Sequence, residues 1–213
     1  MKTDELVTML AAGAGAVEAG ATARRYTAAL GWGAFGATLL MAIALGVRPD
    51  LAEAARLPMF WVKLAFPASV AAGALYAAAR LSQPGVQLGR VPAALAAPVL
   101  AMWLLAALVL ATAAAGEREE LIYGGSWNDC PLFIALLSLP VFAAAMWAMK
   151  GLAPTRLALS GAAVGLLAGS VGALIYALYC TEMAAPFLAL WYLLGMLIPT
   201  AAGAAIGPRL LRW

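Results

Sequence analysis

The sequence predicts an all-α integral membrane protein: a six-transmembrane-helix bundle with the N- and C-termini both inside, facing the cytoplasm. Three observations point there. Of 213 residues, 65% are hydrophobic and 11% charged, whereas soluble domains run at about 45–50% apolar and 25% charged. The apolar residues gather into six runs, each near the about 20 residues that a helix needs to cross about 30 Å of hydrocarbon. The basic residues between the runs sort to one side. Spans of this length use up nearly the whole chain, so no sizeable soluble domain remains for catalysis or for direct nucleic-acid binding. No enzyme and no cofactor are expected; the lipid bilayer is the first partner.

Residues 1–25 form a cytoplasmic N-terminal segment ahead of a six-helix domain over residues 26–213. The opening MKTDELVTMLAAGAG carries two acids and no continuous apolar core, so the first span itself is expected to direct insertion, uncleaved. Thr3 is placed to cap a helix whose first turn holds Asp4 and Glu5 and whose apolar positions are Leu6, Val7 and Leu10, with Gly13 and Gly15 ending it. Such a segment can lie on the membrane surface, remain loosely ordered or meet a partner. A surface helix favours a basic face, and this one is acidic, which favours a protein partner.

The spans are expected over about residues 27–47, 58–79, 92–115, 131–149, 157–179 and 186–207. Ala, Gly and Leu dominate them, without the ten-residue alternation of a β-barrel, so they read as helices. The second, fourth and sixth open on LPMFW, CPLFI and APFLALW. Proline at the first helical position is tolerated because its missing N–H would be unpaired there anyway. In the fifth, Gly161, Gly165 and Gly169 make two overlapping GxxxG repeats, which let helix backbones approach within a bundle or across a dimer seam. Trp32, Trp61, Trp127, Trp191 and Tyr192 fit an interfacial aromatic belt.

With the N-terminus inside, Lys2, Arg24, Arg25, Arg80, Arg90, Lys150, Arg156, Arg209 and Arg212 fall on the cytoplasmic side, nine of the thirteen basic residues. Arg48, Arg56 and Arg118 fall outside. The same orientation puts Cys130 and Cys180, the chain's two cysteines, at the outer face beside span boundaries.

Lys63, in PMFWVKLAFP, is the one charge inside a span. Its ammonium can snorkel to the surface or make a polar contact with the outer loops near the cysteines. The cysteines, in NDC and YCTE, have three readings. They can form a disulfide if their Cα atoms come within about 4.4–6.8 Å. They can hold a soft metal ion transiently as a thiolate pair, with Asp129, Glu182 or water as helpers because the chain has no histidine. Or they are incidental apolar residues.

The chain resembles the NrsF family of six-span inner-membrane negative regulators of extracytoplasmic-function sigma factors. The likeness is carried by the KTDELVTMLA head, PMFWVKLAFP, the CPL that opens span four, YCTEMAAPFLALWY and the GPRLLRW end. It implies a bacterial inner-membrane anti-sigma factor that holds an extracytoplasmic-function sigma factor inactive on the cytoplasmic side and releases it under heavy-metal or oxidative stress. By that likeness Cys130 and Cys180 correspond to a signal-sensing pair facing the periplasm; Asp129, Glu182 and Lys63 are candidate helpers from their own placement. Lys2, Thr3, Asp4, Glu5, Leu6, Val7 and Leu10 correspond to the sigma-binding segment.

A metal or oxidant that joins the two thiols would change the constraint between spans four and five, and coupling needs only that one bundle arrangement bring the sulfurs together. The alternative is a small thiol-dependent heavy-metal transporter, which would be expected to carry cysteines along a path or on the cytoplasmic side. A membrane thiol oxidoreductase would want CxxC pairs.

Overall fold

The computed structural model describes residues 3–13, 20–83, 85–152 and 154–212. It is all-helical, with no strand among the described residues. In chain order the helices are α1 (Thr3–Gly13), α2 (Ala21–Ala44), α3 (Leu51–Ala54), α4 (Pro58–Leu81), α5 (Val91–Thr112), α6 (Arg118–Tyr123), α7 (Cys130–Lys150), α8 (Leu157–Tyr176) and α9 (Ala185–Leu210). Six of them, α2, α4, α5, α7, α8 and α9, are long and apolar enough to cross a membrane.

Local chemistry sets most boundaries. α2 starts at Ala21, ahead of the apolar run, so Arg24 and Arg25 lie inside it. It stops where Gly46 takes a left-handed φ of 79° and returns its N–H to the Met41 carbonyl at 3.0 Å, the αL ending that glycine makes cheap. α4, α5, α7 and α9 each carry proline in the first helical positions. Further prolines, Pro67, Pro98, Pro140 and Pro199, sit inside the spans without ending them. Neighbouring helices make that tolerable in a membrane bundle.

α8 is the axis of the bundle. It packs on α9, α7, α4 and α2, and 67% of its apolar window is buried against 11% for α5, which lies at the edge beside α4 and the start of α9. The glycine stripe explains the position. A Cβ at Gly165 would meet the backbone of Pro199 and Thr200, and one at Gly169 would fall 2.8 Å from the Met196 carbonyl oxygen. Gly161 faces Gly203 and Gly207 in the same way. The two overlapping repeats therefore seat α8 on α9 inside the bundle, where close backbone approach gains the dispersion contacts that replace hydrophobic drive in lipid. The outward faces carry Trp32, Phe35, Ile43, Leu100, Leu104 and Trp147, all exposed, as lipid-facing side chains are.

The loops gather at two ends. At one, the α2–α3 turn, the α6–α7 connection and the α8–α9 link come together: the Arg48 N–H donates to the Leu178 carbonyl at 3.2 Å, and the Trp191 indole N–H donates to the Ile122 carbonyl at 2.8 Å. At the other, the Tyr26 hydroxyl meets Ser82 Oγ at 3.1 Å and Met149 Sδ at 3.3 Å, tying the start of α2 to the ends of α4 and α7. Arg24, Arg25, Arg80, Arg90, Lys150, Arg156 and Arg209 flank helix termini at this second end.

Three features depart from the span pattern read from sequence. α8 stops at Tyr176, so Cys180 lies in an extended link of residues 180–184 rather than on a helix end. The short helices α3 and α6 fold within the loops that follow α2 and α5. α9 contains a π-helical turn at Leu188–Tyr192, an inserted-residue geometry often found at functional sites.

Candidate functional site

Cys130 is the first residue of α7, with Asp129 before it and Pro131 after it, and its N–H reaches the Ser126 carbonyl at 3.0 Å. Cys180 follows the turn that ends α8, and its N–H reaches the Tyr176 carbonyl at 2.9 Å. Both thiols are free and both are buried, Cys130 completely and Cys180 to 3% exposure, in one continuous core cluster. Each lies within electrostatic reach of the other. Tyr176 stands beside Cys130, while the Tyr192 hydroxyl is near Cys180 but outside hydrogen-bond geometry.

Lys63 resolves the choice left open by its sequence position. Its side chain is fully buried, and the ammonium turns inward rather than to the surface. It donates to the Cys180 carbonyl at 2.6 Å and to the Glu182 carbonyl at 2.8 Å, with the Tyr192 ring 5.6 Å away. Two carbonyl dipoles and a ring face thus replace the ammonium's water. α4 is thereby joined to the link that carries Cys180.

A second cation meets the same carbonyl. Arg48, buried to 7% exposure, donates Nη1 to the Cys180 oxygen at 3.2 Å. Its Nε and Nη2 grip the two carboxylate oxygens of Asp50 at 2.8 and 2.6 Å. This fork-to-carboxylate geometry is the strong kind of ion pair. Hydrogen bonding to Arg48 holds the Asp50 carboxyl below its ordinary range, and the same bond raises the Arg48 guanidinium further.

The acidic helpers are placed differently. The Glu182 carboxylate accepts the Gly125 N–H at 2.9 Å and lies close against Gly124, which has a φ of 54°. Its acid thus fastens the α6–α7 connection, while its carbonyl serves Lys63. Asp129 is exposed beside the start of α7. No group of three or more Cys, Asp, Glu or His placed to hold a metal occurs among the described residues. The donor set is therefore two thiols, which suits a transient soft ion rather than a resident tetrahedral zinc.

Sequence reasoning missed Arg48, Tyr176 and Tyr192. Arg48 looked like an ordinary loop charge, and Tyr192 was assigned to the interfacial belt; it is instead fully buried near the thiols, as the last residue of the π-helical turn. Trp32 and Trp61 are exposed as belt residues are, whereas Trp191 packs on Trp127 with centroids 5.2 Å apart. The signal available for Arg48 was its spacing to Asp50 across one proline.

A cavity of 310 Å³ opens between the loops of this end, lined by Val47, Arg48, Ser126, Tyr179, Cys180 and Thr181 among others. Cys180 lies on its wall.

The N-terminal candidates form α1. Thr3, Asp4, Glu5, Leu6 and Val7 are exposed on it, with Leu6 at 41% and Val7 at 59%. Leu10 is helical, and Lys2 lies outside the described residues.

Among known proteins, the family described as "Negative regulator of sigma F" matches residues 10–213. The chain is 58% identical, over all of both chains, to a probable anti-sigma-F factor NrsF of Azospira oryzae. It is 40% identical, again over the full length of both, to the anti-sigma-F factor NrsF of Caulobacter vibrioides. No solved structure matches it. A family match over nearly the whole length, two full-length relatives of the same name and six membrane-length helices agree: the chain belongs to the NrsF family of negative regulators of sigma F.

Proposed function

We propose that this chain is a bacterial inner-membrane anti-sigma factor with both termini in the cytoplasm and the thiol end of the bundle in the periplasm. It binds an extracytoplasmic-function sigma factor and releases it when Cys130 and Cys180 meet a heavy metal or an oxidant. Its role is regulatory, not catalytic. The names of its relatives support the sigma-factor partner. The sorting of basic residues to the end opposite the cysteines supports the orientation.

One observation carries the sensing reading. Two otherwise isolated cysteines, 50 positions apart by their numbers, converge in one buried cluster at one end of the bundle, under two cations that grip the backbone of Cys180. A chain with only two cysteines gains little from that convergence unless the pair acts together. Joining the sulfurs, by a disulfide or by a bridging soft ion, favours whichever arrangement of α7 and the α8–α9 link brings them closest. α8 runs from that link to the opposite end, where α2 begins; on this reading α1, with Leu6 and Val7 exposed on it, is the part that meets the partner.

The test is co-purification. The sigma factor is expected to accompany the solubilised full-length protein and to dissociate on exposure to cadmium or diamide. Cys130→Ser and Cys180→Ser are expected to keep it bound. Full release from both variants would sink the sensing reading and leave the binding reading standing.

A further inference from the structure

The two thiols are not placed alike. Cys180 lies in an extended link, on the wall of a 310 Å³ cavity whose rim includes the exposed residues Val47, Pro49 and Thr181. Cys130 has no exposed surface and is fixed in the first turn of α7. The backbone of Cys180 is also held in a way that of Cys130 is not. Its carbonyl accepts from Lys63 Nζ at 2.6 Å on one side and from Arg48 Nη1 at 3.2 Å on the other. The Cys180 N–H ends the hydrogen-bond ladder of α8 at the Tyr176 carbonyl, and the extended chain beyond it would otherwise be free to swing. These two donors, rooted in α4 and in the α2–α3 turn, remove that freedom. The Ser126 hydroxyl, in the lining of the same cavity and buried, has no hydrogen-bond partner among the described residues.

We infer that Cys180 is the receiving thiol and Cys130 the resolving one, with Lys63 and Arg48 as positioning residues that keep Cys180 on the cavity wall. This rests on the paired-thiol reading. With a hydroperoxide as oxidant, the Cys180 sulfur attacks the terminal oxygen. The O–O bond breaks, the alcohol leaves with the thiol proton, and Cys180 becomes a sulfenic acid. The Cys130 sulfur then attacks the Cys180 sulfur, the S–O bond breaks, and water leaves with the second proton as the disulfide forms. Two thiols lose two electrons and the hydroperoxide is reduced to alcohol and water.

Full-length protein in native membrane vesicles, treated with hydrogen peroxide and the sulfenic-acid trap dimedone and read by mass spectrometry, tests the order. Cys130→Ser is expected to accumulate the adduct at Cys180. Cys180→Ser is expected to form it at Cys130 at least tenfold more slowly. Wild type is expected to give the disulfide with little adduct. Equal trapping at both positions, with the wild-type disulfide still forming, overturns the assigned order and leaves the paired-thiol reading intact. Absence of both disulfide and adducts in wild type overturns the pairing and this inference with it. For the positioning role, Lys63→Met in the Cys130→Ser background is expected to slow trapping at Cys180 severalfold at an unchanged melting temperature, and Lys63→Arg to restore it. Wild-type trapping in Lys63→Met would assign Lys63 no positioning part.

Discussion

Lys63 shows how one residue can serve two demands that usually conflict. A fully buried ammonium is costly, and here its acceptors are the carbonyls of Cys180 and Glu182 rather than a carboxylate. Replacing the ammonium by an apolar group of similar volume removes its desolvation cost, which offsets the about 1–3 kcal/mol for the Glu182 carbonyl left unpaired, while the Cys180 carbonyl keeps Arg48. Lys63→Met is therefore expected to melt close to wild type. Lys63→Ala, which adds a cavity, is expected to lose about 2–5 kcal/mol, read by thermal unfolding in detergent. Asp50 sets a pH signature of its own. Its carboxyl is held below its ordinary range by Arg48, so the stability it contributes is present above the unfolded value of about 3.9 and is lost as pH falls through the depressed folded value. Comparing melting temperatures of wild type and Asp50→Asn should give a constant gap from neutral pH down to about pH 5. The gap should then close at more acid pH. A gap that widens on acidification would contradict the Arg48–Asp50 account.

At the scale of elements, the α8–α9 seam is the most extensive helix contact among the described residues, and its glycines differ in kind from Gly31. Gly165 has the Pro199 and Thr200 backbone where a Cβ would go, whereas Gly31, in α2, has nothing within 4 Å of that position. Gly165→Ala is expected to destabilise by about 1–3 kcal/mol through overpacking. Gly31→Ala, relieved of glycine's entropy in a helix interior, is expected to be neutral or to gain up to about 1 kcal/mol. The same melting assay ranks the pair, and equal effects would remove the seam from the account.

The elements also show what sequence could reveal. Span length and apolar content need no tertiary information, so the six long helices were legible, as was the close approach that Gly161, Gly165 and Gly169 permit. Lys63 was legible because charge inside a span is rare. Its partners were not, because they are backbone carbonyls 117 and 119 positions away. The short α3 and α6 and the π-helical turn are fixed by contacts across loops, not by periodicity, so Tyr192 read as a belt residue when it is buried at the thiols.

For the whole molecule, the two ends carry different chemistry, and the proposed function needs them joined. One end holds the thiols, two buried cations and a cavity; the other holds the Tyr26–Ser82–Met149 cluster and a run of basic helix ends. α8 touches the four long helices around it, so a change at its link has packed neighbours through which to travel. On the proposed reading, α1 is the grip on the sigma factor. Leu6→Asp with Val7→Asp is expected to lower affinity for it by at least tenfold while leaving the six-helix bundle and its melting temperature unchanged. Unchanged affinity would move the grip to the loops.

The central claim is that the thiol pair at one end governs sigma-factor binding at the other. Its most direct measurement is the affinity of the sigma factor for the full-length protein in lipid nanodiscs, before and after diamide, in wild type and in the Cys130→Ser and Cys180→Ser variants. The account predicts at least a tenfold loss of affinity in wild type and none in either variant. Equal loss in all three proteins, or no loss in wild type once the Cys130–Cys180 disulfide has formed, would contradict it.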